Sequence, residues 1–165
     1  MGAKLPRITP FLWFESQAEE AAQLYTSIFP NSKIGTTVRY TKEVAQQAGR
    51  PEGSVMTIDF ELDGIPMSAI NGGPHFKFNE AVSLVVNCES QKEVDYYWDR
   101  LSAGGDPKAQ QCGWLKDRFG LSWRVVPTEL GQYLGHPDPE KAKRATQAML
   151  QMKKLDLEEL ERAVS

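Results

Sequence analysis

The segments Glu15-Ser16-Gln17-Ala18-Glu19 and Glu89-Ser90-Gln91-Lys92-Glu93 lie 74 residues apart in the chain. Each follows an apolar stretch of strand character and opens a helix that carries aromatic residues. In each, a serine stands three residues before a glutamate, the pattern of a helix-capping box. Five positions carry little alone, because capping boxes are common. The order strand, cap, helix, strands recurs with them, and that order is more specific. It reads as two copies of one supersecondary module, a βα unit followed by antiparallel strands. A single copy leaves one sheet face half-covered, so two copies are expected to pair and leave a cleft between them.

The rest of the chain fits this frame. Residues 7–14 read as a strand, with Pro10 arguing for an edge or bulge. Ala18, Ala21, Ala22, Tyr25, Ile28 and Phe29 recur at helical spacing, with Ser16 and Glu19 as the cap. Residues 33–41 read as a strand, and the polar run from Lys42 to Gly53 as a loop. Met56, Ile58, Phe60 and Leu62 alternate with polar residues, Asp63-Gly64 predicts a type I′ turn, and Ile65, Met67 and Ala69 alternate on the return strand. Residues 81–87 predict a further strand. The helix after Ser90 carries Val94, Tyr97, Trp98 and Leu101 and ends at Gly104-Gly105. Cys112–Lys116 and Leu121–Val126 bracket Asp-Arg-Phe-Gly as a hairpin. Asp138 with Pro139, and Asp156 with Glu159, predict two C-terminal helix starts. The expected fold is α+β, one domain over 1–165. Module 1 covers about 6–72, module 2 about 79–127, and a helical tail about 128–165.

Composition excludes several classes of function. Lys and Arg number 19 against 22 Asp and Glu, a formal net charge of −3, so no basic excess exists to neutralise nucleic-acid phosphates. No apolar run approaches a membrane span, and the residues after Met1 show neither a secretion signal nor a myristoylation pattern. Two cysteines, Cys88 and Cys112, make neither a disulfide framework nor a zinc set. A cytoplasmic protein is expected. Glycine-rich nucleotide loops, a P-loop and a nucleophile elbow are absent.

Four stretches carry a resemblance: Leu-Trp-Phe-Glu-Ser-Gln-Ala-Glu-Glu-Ala-Ala-Gln-Leu-Tyr (12–25), Asn-Gly-Gly-Pro-His-Phe-Lys-Phe-Asn (71–79), Gly-Trp-Leu-Lys-Asp-Arg-Phe-Gly-Leu-Ser-Trp (113–123) and Pro-Asp-Pro-Glu-Lys-Ala (137–142). With them the chain resembles the PhnB-like branch of the vicinal oxygen chelate superfamily, which includes glyoxalase I, extradiol dioxygenases and bleomycin-resistance proteins. The resemblance spans about residues 6–163. It implies paired βαβββ modules with curved, antiparallel-rich sheets, and a homodimer. Some relatives carry a 3-demethylubiquinone methyltransferase label, but no glycine-rich loop for S-adenosylmethionine is visible here.

Enzymes of that superfamily hold a divalent cation with His and Glu side chains on sheet strands, and the ion acts as a Lewis acid. Mapped onto this chain, the four ligand positions fall at Pro10, within Ser68-Ala69-Ile70, near Ala81 with Glu80 adjacent, and at Trp123 or Arg124. None is an expected ligand, so neither a metal nor another cofactor is expected. What remains is aromatic and weakly polar. Trp13, Phe11, Phe76, Phe78, Trp114 and Trp123 are candidate walls for a flat ligand. Asn71, Ser83, Cys112 and Arg124 are candidate polar anchors. His75 is a candidate acid or base, though a histidine after a turn is most often a solvated group. His136 reads as a loop residue. Cys112 reads first as a small buried hydrophobe, and Asp117 and Arg118 as residues that fix the hairpin. Three functions compete: a metal-independent small-molecule binding protein, a lyase, isomerase or oxygenase, and a structural or regulatory homodimer with a vestigial cleft.

Overall fold

The computed structural model describes residues 5–165; the first four residues, read above for sorting signals, lie outside them. The chain divides into two compact units, Met1–Phe78 and Asn79–Ser165.

The first unit runs β1 (Phe11–Phe14), α1 (Ala18–Ile28), β2 (Lys33–Arg39), α2 (Lys42–Ala48), β3 (Val55–Leu62) and β4 (Ile65–Asn71). Its sheet has the order β1-β4-β3-β2, with β1 parallel to β4 and the other pairs antiparallel. Pro10 precedes an edge strand, where its missing N–H costs no ladder bond. Asp63 and Gly64 both have positive φ, 46° and 79°, as a type I′ turn requires. Strand alternation sorts the two faces. Leu12, Phe14, Ile58, Phe60, Met67 and Ala69 are buried beneath α1. Ala18, Ala21 and Ala22 let the helix lie close to the sheet, and Tyr25 and Ile28 fill the remaining depth.

Two expectations fail here. Lys42–Ala48 is a helix and not a loop. Its short polar sequence shows little amphipathic period, but Gly49 in the left-handed conformation is a regular helix stop. Ser16 does not cap α1. The N-cap position is Gln17, which makes no side-chain cap bond, and the cap comes from Asn71 instead.

The second unit runs β5 (Leu84–Cys88), α3 (Gln91–Ser102), β6 (Trp114–Lys116), β7 (Ser122–Pro127), α4 (Leu130–Leu134), α5 (Pro139–Leu150) and α6 (Leu157–Val164). The sheet order is β5-β7-β6, with β5 parallel to β7 and β6 antiparallel to it. This repeats the first unit without the strand equivalent to β2. A 3₁₀ turn at Pro107–Ala109 occupies that stretch of chain. Ser90 caps α3 by accepting the Glu93 N–H, while the Glu93 carboxylate accepts the Glu89 N–H at 2.7 Å. Asp138 and Asp156 cap α5 and α6 as expected. Leu130, Met152, Leu155 and Leu160 form the core of the tail. Burying each such side chain contributes about 1.5–3 kcal/mol. Among the described residues no helix is long and apolar enough to cross a membrane.

Candidate functional site

In the first unit, the face of the sheet opposite α1 is open. Register places Phe11, Ser68 and Asp59 in one row across it, and Trp13, Ile70 and Thr57 in the next. Ser68 donates its hydroxyl to Asp59 at 2.6 Å. Lys33 pairs with Glu61 at 3.4 Å. These groups border a hollow of about 440 Å³ that also reaches Thr9 and Gly35.

Beside it, β4 runs out into the turn Asn71-Gly72-Gly73-Pro74, and Trp13, His75 and Phe76 gather at this turn. The Trp13 indole donates Nε1–H to the Gly73 carbonyl at 2.9 Å. Its ring meets Phe76 edge-on, with centroids 4.8 Å apart, and lies 6.3 Å from the His75 ring. A Cβ on Gly72 would stand 2.1 Å from the Trp13 ring, so only glycine leaves room for the indole. Phe76 is 65 % exposed and His75 is exposed as well. Phe78 turns away from this group and packs edge-on against Phe14, 5.1 Å between centroids.

Asn71 has a different task from the ligand anchor expected of it. Its side chain is buried on the α1 side. Oδ1 accepts the Ala18 N–H at 2.8 Å, Nδ2 donates to the Val55 carbonyl at 3.1 Å, and its own carbonyl accepts the Tyr40 hydroxyl at 2.6 Å. The amide is committed to the fold at both ends.

In the second unit the register separates the two tryptophans. Trp114 pairs with Arg124, and Trp123 pairs with Leu115, so the rings lie on opposite faces. Trp123 is 2 % exposed, with Val125 and Leu115 on the side covered by α3. Its Nε1–H is donated to Asp117 Oδ2 at 2.9 Å. Asp117 Oδ1 accepts the N–H groups of Phe119 and Leu121, which fixes the hairpin as expected. Trp123 is therefore packed in the core of this unit and lines no open surface of it: the hairpin register allows only one of the two rings on the open face.

That open face carries the rows Val85-Arg124-Trp114 and Ser83-Ser122-Lys116. The Arg124 guanidinium lies 4.2 Å over the Trp114 ring, a cation–π contact. Ser83 and Ser122 share a hydroxyl hydrogen bond of 2.8 Å, and Lys116 forms an ion pair with Glu80. The Lys116 ammonium, the largest influence on Glu80, holds its carboxyl below the usual range. A hollow of about 310 Å³ opens between Glu80, Gln111, Trp114, Lys116 and Ser122. Cys112 is elsewhere. It is buried against the tail, where its thiol faces the Met149 carbonyl at 3.5 Å and its N–H is donated to the Met152 carbonyl. It is a packing residue, as the alternative reading had it.

Sequence reasoning missed Arg50. It stands just after Gly49, the residue that closes α2, and its buried Nε has no acceptor among the described residues. Arg124 Nε is in the same condition. The signal for Arg50 was the sequence Gly49-Arg50-Pro51 after a short helical run, legible only once α2 is recognised.

The cation that the resemblance implies meets none of the expected ligands on the strands it would use. The four strands β1, β4, β5 and β7 bear no His, Asp or Glu. Cys88 of β5 is fully buried. Among the described residues, no three His, Cys, Asp or Glu side chains gather as a metal site would need. These strands do not fit a divalent ion, and one of them presents the positive charge of Arg124 instead.

Comparison with known proteins places the chain. A family described as 3-demethylubiquinone-9 3-methyltransferase matches residues 6–126. A solved structure described as a 3-demethylubiquinone-9 3-methyltransferase, PhnB protein, from Bacillus cereus is 34 % identical, with a TM-score of 0.63, over 74 % of this chain and all of that one (100 %). Protein PA1353 from Pseudomonas aeruginosa shares 18 % identity at a TM-score of 0.56, over 74 % of this chain and 97 % of that one. The fosfomycin resistance protein FosX from Listeria monocytogenes, solved with Mn(II) and sulfate, shares 16 % identity at a TM-score of 0.50, over 82 % and 98 %. The last two likenesses are of fold. No curated protein matches the chain. The extent of the family match and the Bacillus cereus likeness show that the chain belongs to the 3-demethylubiquinone-9 3-methyltransferase (PhnB-like) family.

Proposed function

We propose that the protein binds a small organic molecule without a divalent cation, and acts by recognising it. One observation carries the reading: the positions that the resemblance gives to cation ligands (Pro10, Ser68-Ala69-Ile70, Ala81, and Trp123 or Arg124) and the strands β1, β4, β5 and β7 have no imidazole or carboxylate here. Aromatic and hydroxyl groups occupy the open faces in their place. Trp13 with Phe76 in one unit, and Trp114 under Arg124 in the other, offer ring faces to a flat or apolar ligand. Such surfaces gain from burial of apolar area and need few polar partners. The same reading takes the molecule as a homodimer in the cytoplasm, which sedimentation and cell fractionation check.

The test is a thermal-unfolding series with Mn²⁺, Ni²⁺, Zn²⁺ and a chelator. A ligand that binds only the folded state raises its stability. The expected result is an unchanged midpoint in all four, together with quenching of tryptophan fluorescence by flat ligands that the chelator leaves intact. A midpoint raised by one of these ions and returned by chelator would overturn the reading.

A further inference from the structure

Resting on the binding reading above, we propose that the Gly73 turn is an oxyanion receptor: Arg50 and His75 hold a carboxylate whose flat apolar body lies along Trp13 and Phe76. Arg50 is placed by local structure. Gly49, in the left-handed conformation, closes α2, and both it and Arg50 donate their N–H groups to the Ala45 carbonyl. Pro51 starts a turn whose carbonyl accepts both the N–H and the hydroxyl of Ser54. Tyr40, buried at the start of this arm, ties it to the Asn71 carbonyl at 2.6 Å. The guanidinium is thereby carried to the glycine turn.

At Gly73 the φ is +89°, and there is no side chain. The position a Cβ would take lies 3.7 Å from His75 Nε2 and 4.0 Å from Arg50 Nη1. A vacant spot is thus bracketed by a guanidinium and an imidazole. Among the described residues Arg50 has no ion-pair partner, and its Nε is buried without an acceptor. Buried donors are nearly always satisfied, so one that the fold leaves open calls for an acceptor brought from outside. Among the described residues the buried side-chain atoms lacking a partner are both arginine nitrogens, so the unmet demand is for negative charge. A planar guanidinium fork matches a carboxylate with two parallel hydrogen bonds. Trp13 spends its N–H on the Gly73 carbonyl and is pinned. What its half-buried ring still exposes is apolar, which suits a flat apolar body next to the charge.

The experiment uses the full chain, with benzoate and its neutral isostere benzamide as probes. The readout is the Trp13 indole N–H resonance, assigned through Trp13→Phe. Benzoate is expected to shift this resonance, with benzamide about tenfold weaker. Arg50→Met is expected to weaken benzoate about tenfold while the unliganded unfolding midpoint holds or rises, since an unsatisfied buried donor is removed. Arg50→Lys, which keeps the charge but loses the fork, falls between. Benzamide binding as well as benzoate overturns the oxyanion assignment and leaves the small-molecule reading standing. Arg50→Met binding benzoate like the parent overturns the role of Arg50, all the more if its midpoint falls. If Arg50→Met does not fold, Arg50→Lys and the probe pair on the parent chain decide. Neither probe moving any tryptophan resonance at millimolar concentration sinks both proposals.

Discussion

Asn71, the last residue of β4, caps the helix α1 by accepting the N–H of Ala18 at 2.8 Å across 53 positions of sequence. Register explains why the second unit is built otherwise. Phe14, which ends β1, pairs with Asn71, while Cys88, which ends β5, pairs with Pro127. Proline has no side-chain acceptor, and there Ser90 caps α3 locally. The first capping box is therefore present in sequence and idle in structure.

Asn71→Ala is expected to cost about 1–3 kcal/mol, because it orphans the Ala18 N–H and the Val55 carbonyl together. Ser16→Ala is expected to stay within about 0.5 kcal/mol of the parent, and Ser90→Ala to cost about 0.5–2 kcal/mol. Urea unfolding midpoints of the three variants give the ranking. A Ser16 variant as damaging as the Ser90 variant would refute the tertiary cap.

Gly72→Ala places a methyl where the Trp13 ring stands, 2.1 Å away. The ring must leave its place or the strand end must shift, and overpacking of this kind costs about 1–3 kcal/mol. The expected signs are a lower unfolding midpoint and a changed tryptophan emission maximum. Emission like the parent's would show that the ring is not seated there.

Gln91 joins α3 to the tail. Its Nε2 donates to Asp95 at 3.0 Å and to the Leu155 carbonyl at 3.1 Å, and its Oε1 accepts the Leu157 N–H at 2.9 Å. Gln91→Ala is expected to cost about 1–3 kcal/mol and to speed amide hydrogen exchange across α6. The nearby Lys154–Asp95 pair, 2.7 Å long, is partly exposed. Lys154→Ala is expected to cost at most about 1 kcal/mol, and that loss fades as salt screens the pair.

Burial, with the Glu93 carboxylate adding to it, pushes the Cys88 thiol from an ordinary value of 9.0 up to about 11. The folded value is raised, so the thiol's contribution to stability is present in full below the unfolded value and is lost as pH climbs through the folded one. Stability of the parent is expected to fall more steeply between those two values than that of Cys88→Ala. Parallel pH profiles for the two proteins would discount the shift. The neutral thiol is also expected to resist alkylation until the chain unfolds.

Features set by a few neighbouring residues were legible in the sequence. The Asp63-Gly64 turn, the caps at Ser90, Asp138 and Asp156, the alternation of β3 and β4, and the repeated module all rest on local periodicity and backbone preference. Helix α2 escaped because seven polar-rich residues are too few to show a period. The site was decided by contacts distant in sequence. Strand pairing put Trp114 and Trp123 on opposite faces, since a shift of one position exchanges every side chain between faces. It also drew Asn71 into a cap, and the α2 arm brought Arg50 beside Gly73. Which residues share a face, and which polar atoms are left without a partner, depends on register and packing, and those exist only once the chain has folded.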